Sequence, residues 1–229
     1  MNYNQLNILI TDEIFTVNNI YCVGKNYVEH IEEINDNYIR KENDLPVIFL
    51  KPNSAICHNG GRISIPVYEG QKISETLSYE CEIVVAIGMN GFGISESSAK
   101  EYIAGIGIGL DMTLRDLQTV AKQRGLPWAV SKGFIGSAPV SDLLPIEYIN
   151  NPLELDFTLK INDVIVQNSN TKLMINNIYK LISFISSIFS LKKGDLIFTG
   201  SPAGSGIVQK GDILKASLNE VVNLLIYVD

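Results

Sequence analysis

Apolar residues in this chain fall in short runs rather than long helical stretches, and most runs are rich in β-branched residues. The runs Leu6–Ile10 and Ile20–Val23 come first, and we assign residues 1–20 to a short β-rich segment. The run Tyr79–Ile87 predicts a strand that is covered on both faces. Later strands are separated by turns such as Lys210-Gly211-Asp212. The pattern therefore predicts a strand-dominated α+β fold with a few helices, and not alternating βαβ units.

Residues 25–45 are polar and rich in charge, unlike their neighbours. Tyr27, Ile31, Ile34 and Tyr38 nevertheless keep a weak helical spacing. This combination indicates a surface helix or a lid over a site.

Two further segments predict helices. Thr113-Leu114-Arg115-Asp116 has the form of a capping box, with Thr113 at the N-cap, so a helix should run from there to about Arg124. Gly125 and Pro127 should end it. Residues 173–190 carry apolar side chains at helical spacing and predict a second, buried helix.

Composition narrows the class of protein. The 229 residues, 46% hydrophobic and 19% charged, fit one catalytic domain over residues 1–229. A net charge of −7 argues against a nucleic-acid partner. No run approaches the roughly 18–20 apolar residues that span a bilayer, so we expect no membrane partner. The N-terminus lacks a signal-peptide pattern, and three cysteines without CxxC spacing are typical of a reducing compartment; both indicate a cytoplasmic protein.

Two glutamates, Glu80 and Glu82, interrupt the most apolar of the predicted strands. Because side chains alternate along a strand, both should point to the same face, opposite Cys81. Adjacent carboxylates at the edge of a core repel each other and lose hydration, which costs several kcal/mol unless a cation compensates them. A third carboxylate, Asp111, ends another apolar run. A divalent metal with oxygen ligands is one compensator; pairing with Lys or Arg, or a solvated strand face, is the alternative.

Other residues could carry chemistry, each with a plainer interpretation. His30 and Glu33 share a face if their segment is helical. They could then act as a base with the carboxylate that orients it, or form an ordinary surface pair. Lys132 lies among small and apolar residues, and Thr199-Gly200-Ser201-Pro202 could hold an anion or form a simple turn. The glycines of Gly105–Leu110 fail the dinucleotide fingerprint and are better explained by close backbone approach.

Together these residues resemble the fumarylacetoacetate hydrolase family, and most closely its small acylpyruvase and oxaloacetate decarboxylase members. The resemblance extends from about residue 20 to the C-terminus, and the order and separation of its motifs make it specific. The motifs are Val23–Tyr27, His30 with Glu33, Phe49–Pro52, Glu80–Glu82, Leu110–Thr113, Arg115–Gln118, Gly125–Trp128, Ser131-Lys132 and Thr199–Pro202.

The resemblance implies a mixed β-sandwich roll with a few flanking helices, a catalytic Mg²⁺ or Mn²⁺, a homodimer and a small 2-oxo acid substrate. It implies these metal ligands: Glu80, Glu82 and Asp111. It implies these catalytic residues: His30, Glu33 and Lys132. It implies these substrate-binding residues: Lys25, Asn26, Gln118 and Thr199.

Three functions are compatible with these residues. The first is hydrolysis of acylpyruvates to a carboxylic acid and pyruvate, with water activated by His30 and Glu33 and the oxyanion stabilised by Lys132. The second is decarboxylation or enol–keto tautomerisation of oxaloacetate on the same metal chelate. The third is a metal-binding protein without activity, against which the intact catalytic residues argue. Lys25 and Tyr79 stand where close relatives often have arginine and histidine, and these departures leave substrate preference open.

Overall fold

The structure is a computed structural model that describes residues 4–33 and 44–229. The strands are β1 Gln5–Asn7, β2 Ile14–Thr16, β3 Ile20–Gly24, β4 Val47–Lys51, β5 Ile56–His58, β6 Arg62–Ile63, β7 Val67–Tyr68, β8 Gln71–Lys72, β9 Leu77–Tyr79, β10 Cys81–Ile87, β11 Ile103–Leu110, β12 Thr113–Leu114, β13 Ala138–Val140, β14 Leu144–Pro145, β15 Asp156–Ile161, β16 Val164–Asn170, β17 Leu196–Phe198, β18 Gly206–Val208, β19 Ile213–Leu218 and β20 Val222–Val228. The helices are α1 Val28–Glu33, α2 Arg115–Arg124, α3 Ala129–Lys132 and α4 Ile178–Ile188.

Two sheets make up most of the fold. An eight-stranded mixed sheet has the order β4-β3-β17-β10-β11-β13-β5, with β14 also paired to β11. A five-stranded sheet has the order β16-β15-β19-β20-β6. Strand β11 contacts β19 and β20, and β10 contacts β15, so the two sheets face each other across the core. The predicted strand-dominated α+β fold with few helices is confirmed.

Strand β10 lies at the centre of this arrangement, and all of its residues are buried. Cys81, Ile83 and Val85 belong to the large core between the sheets. Val84 and Ala86, on the other face, belong to a smaller apolar cluster. The prediction of a strand covered on both faces, with Cys81 opposite the glutamates, is therefore confirmed.

The glycine run lies within β11 and allows close packing. A Cβ at Gly109 would lie 2.7 Å from Val84 Cγ2, 2.8 Å from Phe198 Cε1 and 2.9 Å from Pro139 O. Gly109 pairs with Glu82 in the register of β10 and β11. As expected, glycine here allows the backbone to pack closely, next to Glu82.

The start of helix α2 differs from the prediction. Thr113 and Leu114 form β12, paired with β9, so the helix begins at Arg115 without a capping box. The Thr113 hydroxyl donates to Asp111 O at 3.3 Å, while Asp116 accepts hydrogen bonds from Ser74 Oγ and from backbone N–H groups. The capping box is wrong because strand pairing occupies the residue expected to cap. The predicted end is confirmed, since Gly125 has φ 66°.

Helix α4 is shorter than the helix predicted over residues 173–190. Helix α4 starts at Ile178 because the Asn177 side chain accepts the Lys180 N–H at 2.9 Å. In the predicted lid, α1 covers Val28–Glu33, and residues 34–43 lie outside the described residues.

The predicted β-rich start of the chain contains a pair of strands. Strands β1 and β2 pair antiparallel within residues 1–20. The three cysteines are free and buried, as the composition predicts. No helix among the described residues is long and apolar enough to cross a membrane.

We expect Gly109→Ala to lower the free energy of unfolding by about 1–3 kcal/mol, because the added methyl would overlap two side chains and a backbone carbonyl. Gly24→Ala is the matched control, since its Cβ would lie 3.6 Å from Val47, an ordinary contact. Urea unfolding of both variants measures the difference. Equal stability of the two would contradict close packing at Gly109.

Candidate metal centre and active site

Three carboxylates meet where β10 and β11 pair. Glu80 precedes β10, Glu82 lies on it, and Asp111 follows β11. Cys81 pairs with Leu110, and the Asp111 N–H donates to Glu80 O at 2.8 Å. One ligand oxygen from each carboxylate can be chosen so that all lie within 4.8 Å of one another. The strand pairing therefore assembles the three residues that the sequence singles out as metal ligands.

Basic side chains balance two of these carboxylates, and the two lysines among them are buried. Lys132 Nζ lies 2.7 Å from Glu80 Oε2 and 2.5 Å from Asp111 Oδ2. Arg115 Nη2 lies 2.7 Å from Glu80 Oε1, and Lys51 Nζ lies 2.7 Å from Asp111 Oδ1. The sequence left open whether a metal or basic residues compensate the carboxylates. The structure shows that basic residues compensate Glu80 and Asp111.

The pKa values follow this unequal balance. Burial raises the pKa of Glu80, but Lys132, Arg115 and His30 outweigh it and hold that pKa well below its ordinary value. Burial, together with Asp111 and Glu80, raises the pKa of Glu82 well above its ordinary value. Glu82 does accept the Gly200 N–H at 2.7 Å. Negative charge at Glu82 is therefore the least compensated in the cluster.

These observations fit a divalent cation. In the described part of the chain no lysine or arginine forms an ion pair with Glu82. Asp111 Oδ1, by contrast, lies 2.7 Å from Lys51 Nζ. A buried carboxylate without a neighbouring cation is costly, and Mg²⁺ and Mn²⁺ prefer such oxygen ligands.

His30 lies beside the carboxylates, and Glu33 contacts it from the exposed side. His30 Nδ1 is 3.3 Å from Glu33 Oε2, and His30 Nε2 is 3.7 Å from Glu80 Oε1. Glu33 Oε1 also accepts the Gly204 N–H at 2.9 Å, which fixes the carboxylate that orients the imidazole. His30 itself is buried. The helix α1 thus brings the predicted catalytic pair to the predicted metal ligands.

Lys132 ends the short helix α3 and is fully enclosed. Burial lowers its pKa, but Asp111 and Glu80 outweigh burial and raise it above the ordinary value, so the ammonium stays charged. Its Nζ also lies 5.1 Å from the centre of the Phe49 ring, a cation–π contact. A fixed positive charge therefore faces the carboxylate cluster.

The predicted substrate-binding residues separate into two groups. Lys25 and Gln118 line the same small cavity as the carboxylates. Asn26 donates to Thr199 O at 2.8 Å and to Asn176 O at 3.0 Å, and the Thr199 hydroxyl donates to Ile83 O at 2.9 Å. Neither Asn26 nor Thr199 is among the cavity-lining residues, so their contact with substrate stays a prediction, and the structure gives both a role in holding the backbone.

Two residues of the site received no role from the sequence. Arg115 Nη1 donates to Gln118 Oε1 at 2.7 Å, an i,i+3 pair that the helical spacing could have suggested. Lys51 is almost completely buried and donates to Met112 O at 3.2 Å and to Lys132 O. A lysine at the end of a strand normally reaches solvent, so the only signal for Lys51 was its place in the Phe49–Pro52 motif.

The strand-dominated fold and this carboxylate centre define a class of enzyme, and comparison with known proteins agrees. The model of the Fumarylacetoacetate (FAA) hydrolase C-terminal family matches residues 19–226. The chain belongs to this family, as the sequence motifs predict, and the family's members are enzymes.

Curated relatives are similar over most of the chain. An oxaloacetate tautomerase FAHD1 of Rattus norvegicus is 39% identical over 206 residues, which cover 90% of this chain and 89% of the relative. The FAHD1 of Arabidopsis thaliana is 42% identical, covering 87% and 85%. Both names include the word mitochondrial. The predicted cytoplasmic location is therefore contradicted; neither cysteine spacing nor the absence of a secretory pattern distinguishes the cytosol from other reducing compartments.

The fold also matches a solved enzyme with ligands. The fumarylpyruvate hydrolase from Pseudomonas aeruginosa, in complex with Mn²⁺ and pyruvate, superimposes with a TM-score of 0.88 and 32% identity. The match covers 98% of this chain and 94% of that one.

We expect Glu82→Gln to weaken Mn²⁺ binding by about 100-fold or more, because it removes a charged oxygen ligand. Without metal the same change should stabilise the fold. The pKa of Glu82 is higher in the folded state than in the unfolded state. The stability that protonated Glu82 contributes is therefore present below the unfolded-state pKa and is lost as pH rises through the folded-state pKa. In EDTA, the variant should exceed wild type in unfolding free energy at pH 8, and the difference should shrink toward pH 4.

Calorimetric titration with Mn²⁺ and urea unfolding in EDTA measure the two effects. Glu101→Gln, which removes an exposed carboxylate, is the control and should change neither. Wild-type Mn²⁺ affinity in Glu82→Gln would exclude this residue as a ligand.

Proposed function

We propose that this chain is a divalent-metal-dependent enzyme that interconverts the enol and keto forms of oxaloacetate. One observation carries the proposal: His30, with Glu33, and Lys132 lie against the cluster of three carboxylates. The choice of oxaloacetate is supported by relatives of 37–42% identity that are named oxaloacetate tautomerases.

Glu80, Glu82 and Asp111 would hold the metal. A bound Mg²⁺ or Mn²⁺ would supply Lewis-acid polarisation of the substrate's 2-oxo group. The Mn²⁺ in the related fumarylpyruvate hydrolase supports a metal of this kind, and the all-carboxylate ligand set suits either ion.

His30 would move the proton between substrate and protein. A neutral imidazole that donates Nδ1–H to Glu33 leaves Nε2 as a proton acceptor on the side of the cavity. In the keto-to-enol direction Nε2 would take a proton from C3, and the imidazolium would then deliver that proton to the 2-oxo oxygen. In the reverse direction Nε2 would take the enol O–H proton and return it to C3. Glu33 keeps the ring oriented and stabilises the imidazolium that forms between these steps.

The basic residues would bind and stabilise the anionic substrate. The Lys132 ammonium, held charged at the cluster, would stabilise negative charge that develops on the 2-oxo oxygen. Arg115 and Lys25 line the same cavity and offer positive charge to a substrate carboxylate. The Arg115 guanidinium is already placed by Glu80 and Gln118.

The cavity itself is small, with a volume of about 40 Å³, enough for roughly one water molecule. Movement of a lining element would enlarge the cavity for a substrate. Helix α1, which carries His30, is the element that the sequence assigns to a lid, and its outward movement would open the cavity without disturbing the carboxylates on β10 and β11.

Hydrolysis of acylpyruvates, which the sequence analysis places first, is the second candidate. The His30–Glu33 pair is also suited to activating water, and the fumarylpyruvate hydrolase with Mn²⁺ and pyruvate shares the fold. Tautomerisation takes precedence because the tautomerases are more similar in sequence, at 39% against 32% identity.

His30→Ala should lower kcat/KM for enol-oxaloacetate by about 10²–10⁴, the usual contribution of a general acid–base residue. EDTA should abolish the wild-type reaction and added Mg²⁺ or Mn²⁺ should restore it. The assay follows loss of the enol absorbance, with Glu101→Gln as the control variant. Acetylpyruvate hydrolysis and CO₂ release from oxaloacetate are measured in parallel. A higher wild-type kcat/KM for acetylpyruvate, or for CO₂ release, would replace tautomerisation by hydrolysis or decarboxylation.

A further inference from the structure

The buried side chain of Gln167, which lies outside the cavity, connects the candidate metal ligands to the loop that contacts Glu33. Gln167 lies on β16 in the five-stranded sheet and is 2% exposed. Its Oε1 accepts the Cys81 N–H at 2.9 Å. Its Nε2 donates to Ser201 Oγ and Pro202 O, each at 2.9 Å, and to Ala203 O at 3.3 Å. Both ends of the amide are therefore engaged, and they hold two different segments of the chain.

The acceptor end holds the backbone between two candidate metal ligands. Cys81 lies between Glu80 and Glu82, at the break between β9 and β10. Its N–H would be buried without a partner if Gln167 were apolar, and such a group costs about 1–3 kcal/mol. Gln167 thus holds the Glu80–Cys81 peptide, which directly follows the Cα of Glu80 and lies one residue before Glu82.

The donor end holds residues 199–205, which we call the clamp loop. This loop contacts the site at both of its ends. The Gly200 N–H donates to Glu82 Oε2 at 2.7 Å, and the Gly204 N–H donates to Glu33 Oε1 at 2.9 Å. One short loop therefore contacts a candidate metal ligand and the carboxylate that orients His30.

The clamp loop rests directly on the strand that carries Gln167. A Cβ at Gly204 would lie 2.2 Å from Val166 O, and φ at Gly204 is +92°. Only glycine permits this approach. The loop therefore packs directly against β16, and the Gln167 amide holds it there by hydrogen bonds.

From these contacts we propose that Gln167 is a positioning residue, which sets the separation between the His30–Glu33 pair and the carboxylate cluster by clamping residues 199–205 to the Cys81 peptide. The inference rests on the proposed function only in taking this cavity as the active site. It concerns the placement of this chain's own residues and is the same for any of the candidate reactions.

Gln167→Met keeps the length of the side chain and removes both hydrogen-bonding ends. We expect Mn²⁺ affinity to fall about tenfold and kcat about 10–100-fold, the range for groups that orient ligands, with KM changed less than about threefold. In metal-free protein the Gly200 and Gly204 amides should exchange hydrogen faster than in wild type.

The control is Ser186→Ala, on α4. Ser186 is equally buried, and its Oγ accepts the Ile94 N–H at 2.9 Å, so this variant also leaves a buried N–H without a partner. It should lose stability while Mn²⁺ affinity and kcat stay within about twofold of wild type. A Gln167→Met protein that behaves like Ser186→Ala would overturn the proposal, because Gln167 would then be merely structural.

A double-mutant cycle with Glu33→Ala tests whether Gln167 acts through Glu33. If Gln167 acts through Glu33, the double variant should keep a kcat about tenfold or more above the value expected from multiplying the two single losses. Losses that simply multiply would contradict the clamp.

Gln167→Glu covers the case in which Gln167→Met does not fold. It keeps the acceptor for Cys81 and loses the amide donor, so kcat should fall while Mn²⁺ affinity stays within about threefold. Wild-type kcat in Gln167→Glu would also overturn the proposal.

These readouts separate the two levels of inference. Hydrogen exchange and Mn²⁺ titration need no substrate, so they test the clamp even if oxaloacetate proves to be the wrong substrate. Conversely, if wild-type enzyme is active on oxaloacetate but the Gln167 variants show no effect on positioning, the clamp is wrong and the proposed reaction still stands.

Discussion

Repulsion among three buried carboxylates is the constraint on which the rest of this structure depends. Glu80, Glu82 and Asp111 come together because β10 and β11 pair antiparallel, and burial makes their mutual repulsion severe. Lys132 is shared between Glu80 and Asp111. Among the described residues, Glu82 accepts one backbone hydrogen bond, from the Gly200 N–H. The balance is thus incomplete on one side, and a divalent cation bound by all three carboxylates would complete it.

The elements around the cluster fall into two groups. The three carboxylates and Lys132 lie on or beside paired strands and at a buried helix end, where packing and ion pairs hold them. His30 and Glu33 lie on a short helix whose contacts to the frame include Gly204 and Glu80. In the proposed reaction, movement of this short helix would admit substrate while the carboxylates stay in place. The clamp loop is the connection between the two parts.

Part of this arrangement could be predicted from the sequence. Strand alternation alone placed Glu80 and Glu82 on one face, because the side-chain period of a strand is fixed. The proximity of Asp111 needed the resemblance, since no local rule reveals that β10 pairs with β11. The cap expected at Thr113 failed because pairing with β9 overrides a local motif. Gln167 gave no signal, because an amide in a polar run is indistinguishable from a solvated one until its partners are known.

Diffraction from crystals grown with Mn²⁺ tests the central claim most directly, because the anomalous signal locates the ion without reference to activity. We predict a single strong peak among the carboxylates, about 2.0–2.3 Å from oxygens of Glu80, Glu82 and Asp111. A cluster that stays without a peak at saturating Mn²⁺, with Lys132 still bridging Glu80 and Asp111, would show that basic residues alone compensate the carboxylates and would contradict the account.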